Sequence, residues 1–259
     1  MRLFSLLCGL VLYSCTGNTH NATKTSESSQ YKSIQQLDQS KQPENRERLS
    51  KEQTHSQNRT IPDQQVNNIQ HSKRTPLTQD NVVKRLTEYG KLHRDNKVVI
   101  KTQFGDIKIE LFDETPLHRA NFLYLIEQNY FKDTFFHRIV PNFIIQGGNS
   151  DLRSTPKKRK SIGGKYRIPA EINPDRIHTY GTLSGAKEYR ENPDKLSAPY
   201  EFFIFCGPEV NGRHLNGNYT IFGRVTEGMD VVETIANLPA DEGEWPKSNV
   251  YIEVSLDAQ

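Results

Sequence analysis

From residue 97 onward, apolar side chains first recur at every second position. "KVVIKTQFGDIKIELF" (97–112) puts Val98 and Ile100, then Ile107, Ile109 and Leu111, on one side of an extended chain. That period predicts two strands joined at Phe104-Gly105-Asp106. The spacing then lengthens. In "DETPLHRANFLYLIEQNYF" (113–131), Leu117, Ala120, Leu123 and Tyr124 or Ile126 recur at three and four, which predicts a helix capped by Thr115 with Pro116 in its first position. "FFHRIV" and "FIIQGG" read as short strands around a turn at Pro141-Asn142, and "YGTLSGA", "EFFIFCG", "YTIFGRVTEG" and "NVYIEVSL" as further strands. "MDVVETIANL" reads as a second helix. Roughly eight strands and two helices in about 160 residues predict an all-β-dominated domain, a closed eight-stranded antiparallel barrel capped by helices. A parallel sheet built from alternating β-α units does not fit this order.

Upstream the pattern fades. "DNVVKRLTEYGKLH" (80–93) spaces Val82, Val83, Leu86, Tyr89 and Leu92 as a helix would, with Gly90 as an interruption. A short helix over 81–92 is expected, either packed on the domain or as a weakly ordered lead-in. Residues 16–80 hold few apolar side chains among Gln, Asn, Ser, Thr and Lys, too few to offset the entropy of ordering the segment, so a disordered linker is expected there. At the start, "MRLFSLLCGLVLYSC" has one early cation, Arg2, then an apolar run from Leu3 to Tyr13. That run is too short to span a bilayer and suits a secretory signal. "LYSC" resembles a bacterial lipobox, with Cys15 as the acylated residue. The expected organisation is a signal peptide over 1–14, a lipidated and mostly disordered stretch over 15–95, and a folded domain over 96–257.

Composition narrows the function. The 34 basic and 31 acidic residues nearly balance, which argues against a general nucleic-acid binder. The local exception, "KKRK" at 157–160, reads as a solvated loop. With Cys8 leaving in the signal and Cys15 acylated, only Cys206 remains as a thiol, and its apolar run suggests burial. The chain lacks H-E-x-x-H, C-x-x-C and G-x-S-x-G, and "GGKYR" is not a phosphate loop. No cofactor or metal is expected. What remains is apolar surface beside one cation: Phe143, Phe203, Leu215 and Tyr219 as a cup, with Arg138 and Gln146 at its rim. Such a site suits a reaction whose barrier is rotation about a bond.

"FHRIVPNFIIQGG" (136–148) resembles the signature of the cyclophilin-type peptidyl-prolyl cis-trans isomerases, and the similarity continues in order through "GTLSGA", "EFFIFCG", "LNGNYTIFGRV" and "NVYIEV". The resemblance implies the eight-stranded barrel and assigns roles by position. Arg138 stands at the catalytic arginine and Gln146 at the glutamine beside it. Phe143, Phe203 and Leu215 stand at the proline pocket, with Ile144 where Met is usual. Ala186 stands at the small residue by the substrate backbone, Lys187 where Asn is common, and Tyr219 where many members have His. His214 replaces the Trp of drug-sensitive members, so weak cyclosporin binding is implied. Glu201 replaces a Gln that holds the substrate backbone. It accepts but cannot donate when ionised, and it is expected to compete for Arg138. His137 is expected to face away from Arg138 in a structural role. The function so implied is a monomeric isomerase acting on proline-containing polypeptides, tethered to a cell-envelope membrane by lipid and assisting the folding of exported proteins. The alternative is a proline-segment binding module with little turnover, for which Glu201 is the ground.

Overall fold

The computed structural model describes residues 75–188 and 191–257. The expected signal peptide, Cys15 and most of the expected linker lie outside them. Eight strands close into one antiparallel barrel: β1 Lys97–Thr102, β2 Gly105–Leu111, β3 Thr134–Val140, β4 Ile144–Asn149, β5 Thr182–Gly185, β6 Phe202–Phe205, β7 Ile221–Glu227 and β8 Val250–Leu256. Their order around the barrel is β1-β2-β7-β5-β6-β4-β3-β8. The period-two residues Val98, Ile100, Ile107, Ile109 and Leu111 all point into the core, as expected.

The helices among the described residues are α1 Val82–Leu92, α2 Pro116–Glu127, α3 Ser154–Ile162, the single turn α4 Glu209–Gly212 and α5 Met229–Ala236; a 3₁₀ turn covers Arg213–Leu215. Helix α2 is buried from His118 through Leu125, because α1 covers one side of it while the barrel core takes the other. A helix covered all round has no polar face to sharpen its period. Gly90 does not interrupt α1. It lies against Ala120 of α2, where a Cβ would come within 3.2 Å of the Ala120 Cβ, so the glycine lets the two helices close. Leu77, Val82 and Leu86 belong to the same core as the barrel, so the packed unit starts well before residue 96.

Two local expectations are corrected. Thr115 makes no cap bond to α2; its hydroxyl donates to the Phe112 carbonyl. The carboxylate of Glu171 instead takes the Leu117 and His118 N–H groups, each at 2.9 Å, placing a negative charge at the helix N-terminus. The "KKRK" run is not a loop but the second half of α3, anchored by buried Thr155 and Ile162. Its Arg159 turns inward, with consequences for the site.

Candidate active site

The strand β6, "FFIF", reads as a continuous apolar run because both of its faces are covered. In β6, Phe202 and Ile204 enter the barrel core, while Phe203 and Phe205 join a second apolar cluster with Ile144, Ala186 and Leu215. Val140, Phe143 and Tyr219 pack around that cluster. Strand register aligns the polar and aromatic groups beside it. Arg138 pairs with Gln146, Gln146 with Phe203, and Phe203 with Ser184, one row across β3, β4, β6 and β5.

Two irregularities set that row. His137 is left out of the β3–β4 ladder, which passes from Phe136 to Arg138 opposite consecutive residues Gly147 and Gln146. This β-bulge breaks the simple alternation expected from sequence and re-aims Arg138. Gly148, at φ +94°, is skipped on the other strand; a Cβ there would lie 2.1 Å from the Tyr200 carbonyl oxygen. Gly148 therefore serves close backbone approach, whereas a Cβ at Gly147 would meet the Phe136 and Phe202 rings at 3.0–3.1 Å.

A cavity of about 640 Å³ opens over the second cluster, lined by Arg138, Phe143, Ile144, Gln146, Ala186, Lys187, Phe203, His214, Leu215 and Tyr219. These are the residues singled out in the sequence, with Glu201 missing. His214 stacks on Phe143 at 5.5 Å, and Tyr219 sets its ring edge-on to Phe203 at 5.5 Å. Lys187 lies 4.2 Å from the Tyr219 ring centre and donates to the Asn218 carbonyl at 2.9 Å. Burial first, then the nearby Lys195 ammonium, holds its pKa below the usual lysine value. Behind Phe203 lies fully buried His178, stacked on that ring at 5.9 Å. Its Nδ1 is 2.8 Å from Asn216 Oδ1, an oxygen that also accepts the His178 backbone N–H, and its Nε2 is 3.1 Å from Ser184 Oγ. The acceptor at Asn216 places the imidazole proton on Nδ1. A lone His in "RIHTY" gave no sequence signal for this support of the 3₁₀ turn that brings His214 and Leu215 to the cavity.

Glu201 does not compete for Arg138. Its carboxylate accepts from Gln146 Nε2 at 3.0 Å, lies 3.3 Å from Arg159 Nη2 and stands 3.5 Å from His137 Nε2. Burial alone would raise its pKa, but His137, Arg159 and Gln146 together hold it below the usual carboxylate value. Arg159 also donates to the Tyr130 hydroxyl and stands over the Tyr200 ring at 5.2 Å. The competition for Arg138 that the weak-turnover reading supposed is not seen. The carboxylate at Arg138 is Glu244, which accepts from Arg138 Nε at 2.5 Å across a separation of 106 residues that no sequence motif signals. Cys206 is buried, and desolvation pushes its thiol up to about 11, so it is inert at neutral pH.

The comparisons with known proteins converge on one family. The family described as "Cyclophilin type peptidyl-prolyl cis-trans isomerase/CLD" matches residues 97–255. A peptidyl-prolyl cis-trans isomerase of Acinetobacter baylyi is 38% identical over 145 residues, which is 55% of this chain and 72% of that protein. Peptidyl-prolyl cis-trans isomerase-like 3 of Dictyostelium discoideum is 35% identical over 159 residues, 60% of this chain and 91% of its own length. A crystal structure of a Cryptosporidium parvum cyclophilin-type isomerase superposes with a TM-score of 0.52 at 30% identity, covering 64% of this chain and 99% of that one. With the family match spanning most of the chain, this protein belongs to the cyclophilin-type peptidyl-prolyl cis-trans isomerases and is an enzyme of that class.

Proposed function

We propose that Arg138 and the apolar cup beside it catalyse the isomerisation, and that the enzyme serves exported proteins from a lipid anchor at Cys15. The observation carrying the first part is the convergence of one guanidinium and four apolar side chains, Phe143, Ile144, Phe203 and Leu215, on one cavity. The X-Pro amide is planar by resonance, and its rotation barrier is on the order of 20 kcal/mol. At the twisted transition state that resonance is lost and the prolyl nitrogen carries a localised lone pair. A guanidinium directed at that nitrogen stabilises the twisted amide more than the planar one. The cup immobilises the proline ring and excludes water, which strengthens the effect of the charge. Gln146, with Nε2 given to Glu201, keeps its Oε1 for a substrate N–H. Ala186, Lys187, His214 and Tyr219 bound the substrate on either side of the ring. No nucleophile or proton transfer is required.

The exported-client part rests on the N-terminal sequence, where an apolar run ends at Cys15 and a polar tract follows. A tether of that kind would let the domain reach emerging chains near a membrane. Mass spectrometry of the mature protein tests it. A diacyl or triacyl mass on Cys15 is expected, and an unmodified N-terminus that C15S leaves unchanged would reject the tether.

A further inference from the structure

We propose that Glu244 is a positioning residue of this isomerase: its carboxylate holds Arg138 by Nε, which leaves the terminal Nη groups to face the prolyl nitrogen. The proposal rests on the role given to Arg138 above. The contact is a charge-assisted bond of 2.5 Å between side chains that are 36% and 42% exposed. A pair so open to water contributes little to stability, so its geometry calls for another reason.

The segment that delivers Glu244 is built for it. Glu244 has φ +64°, a left-handed backbone unusual for a residue with a long side chain. Asp241 Oδ1 accepts the Gly243 and Trp245 N–H groups at 2.9 Å each, and the Asp241 N–H donates to the Trp245 carbonyl at 2.9 Å. This closes a tight loop with Glu244 at its tip. The loop is stitched to β3 by Ile139 N–H donating to the Glu244 carbonyl at 2.8 Å, one residue past Arg138. Trp245 sets its ring against Phe135 at 5.4 Å, fixing the loop on the strand that carries the arginine. Gln146, the cross-strand neighbour of Arg138, gives its amide to Glu201. The Nε contact thus comes from the loop.

The test compares E244G and E244Q with the wild type and R138A in the full-length protein, with initial rates over a range of X-Pro peptide concentrations. Glycine removes the carboxylate and suits the left-handed backbone, so the fold is retained; circular dichroism and the melting midpoint verify this. Glutamine keeps an acceptor without the charge. In E244G, kcat is expected to fall about fivefold or more with KM little changed, while E244Q stays within about twofold of wild type. The Arg138 Nε–H resonance, assigned by its loss in R138K, is expected to be sharp in wild type and E244Q and exchange-broadened in E244G. Wild-type or raised kcat in E244G overturns the proposal, as does a loss in E244Q equal to that in E244G. If R138A is itself fully active, the catalytic assignment fails; if R138A is impaired while E244G is not, only the positioning role fails.

Discussion

Arg159 reaches Glu201 at 3.3 Å, and that contact keeps the Glu201 carboxylate occupied away from Arg138. A basic residue on a helix outside the barrel thereby protects the charge state of the site. Removing it leaves a mostly buried carboxylate with two partners, and takes one donor each from the Tyr130 hydroxyl and Asn149 Oδ1, which keep the Gly148 carbonyl and the Ser150 N–H. R159A is expected to lose about 2 kcal/mol of stability in urea denaturation. A loss under a few tenths of that would show that Glu201 is held adequately by His137 and Gln146 alone.

Acid should act through the same carboxylate. The folded pKa of Glu201 lies below its ordinary value of 4.5, despite burial, because its partners outweigh desolvation. The folded state then binds fewer protons than the unfolded chain in the window below that value. The resulting stabilisation is full above 4.5 and lost as pH falls through the folded value. The urea midpoint of wild type should therefore drop more steeply on acidification below that range than the midpoint of E201Q. Parallel curves would remove the claim.

His178 gives a second pH dependence nearer neutrality. Burial, opposed by the Asn216 bond, holds its pKa below 6.5. The unfolded chain takes up the proton first, so stability is highest above 6.5 and declines as pH falls through the folded value. H178N, which keeps a donor for Asn216, should flatten the decline seen between neutral and mildly acidic denaturation series. An equal slope in both proteins would place the titrating group elsewhere.

The glycines offer a test of geometry. Gly148 and Gly217 both have positive φ, yet a Cβ at Gly148 would meet the Tyr200 carbonyl at 2.1 Å while at Gly217 it meets nothing within 4 Å. G217A is expected to cost about 1–2 kcal/mol from backbone strain alone. G148A adds a clash with the Tyr200 backbone and should cost about 3 kcal/mol or more, or prevent folding. Equal costs would mean the β4–β6 approach is looser than described.

What the sequence revealed followed from physics that acts locally. Alternation in "GDIKIEL" exposes β2 because Ile107, Ile109 and Leu111 are buried while the residues between them are not, whereas β1 buries Val99 as well as Val98 and Ile100. The family resemblance then named the cavity residues one by one. Its misses came from contacts between distant segments. Nothing near Thr115 shows that Glu171 will cap α2, and nothing in "KKRK" shows that one of its four side chains turns inward over two tyrosines. Helix α3 escaped notice because only Thr155 and Ile162 are buried, too few to set a period. The bulge at His137 broke the alternation used to orient it. The partners of Glu201 and Arg138 were exchanged for the same reason: which carboxylate meets which arginine is settled by loop placement.

Arg138 is expected to stabilise the twisted amide over the apolar cup. Its side chain is partly exposed, so R138A should leave the melting midpoint nearly unchanged. The most direct measurement is kcat/KM for cis-to-trans conversion of a short X-Pro peptide by wild type and R138A. A fall of at least tenfold is expected, about 1.4 kcal/mol of transition-state stabilisation. A value equal to wild type in a folded R138A protein would contradict it.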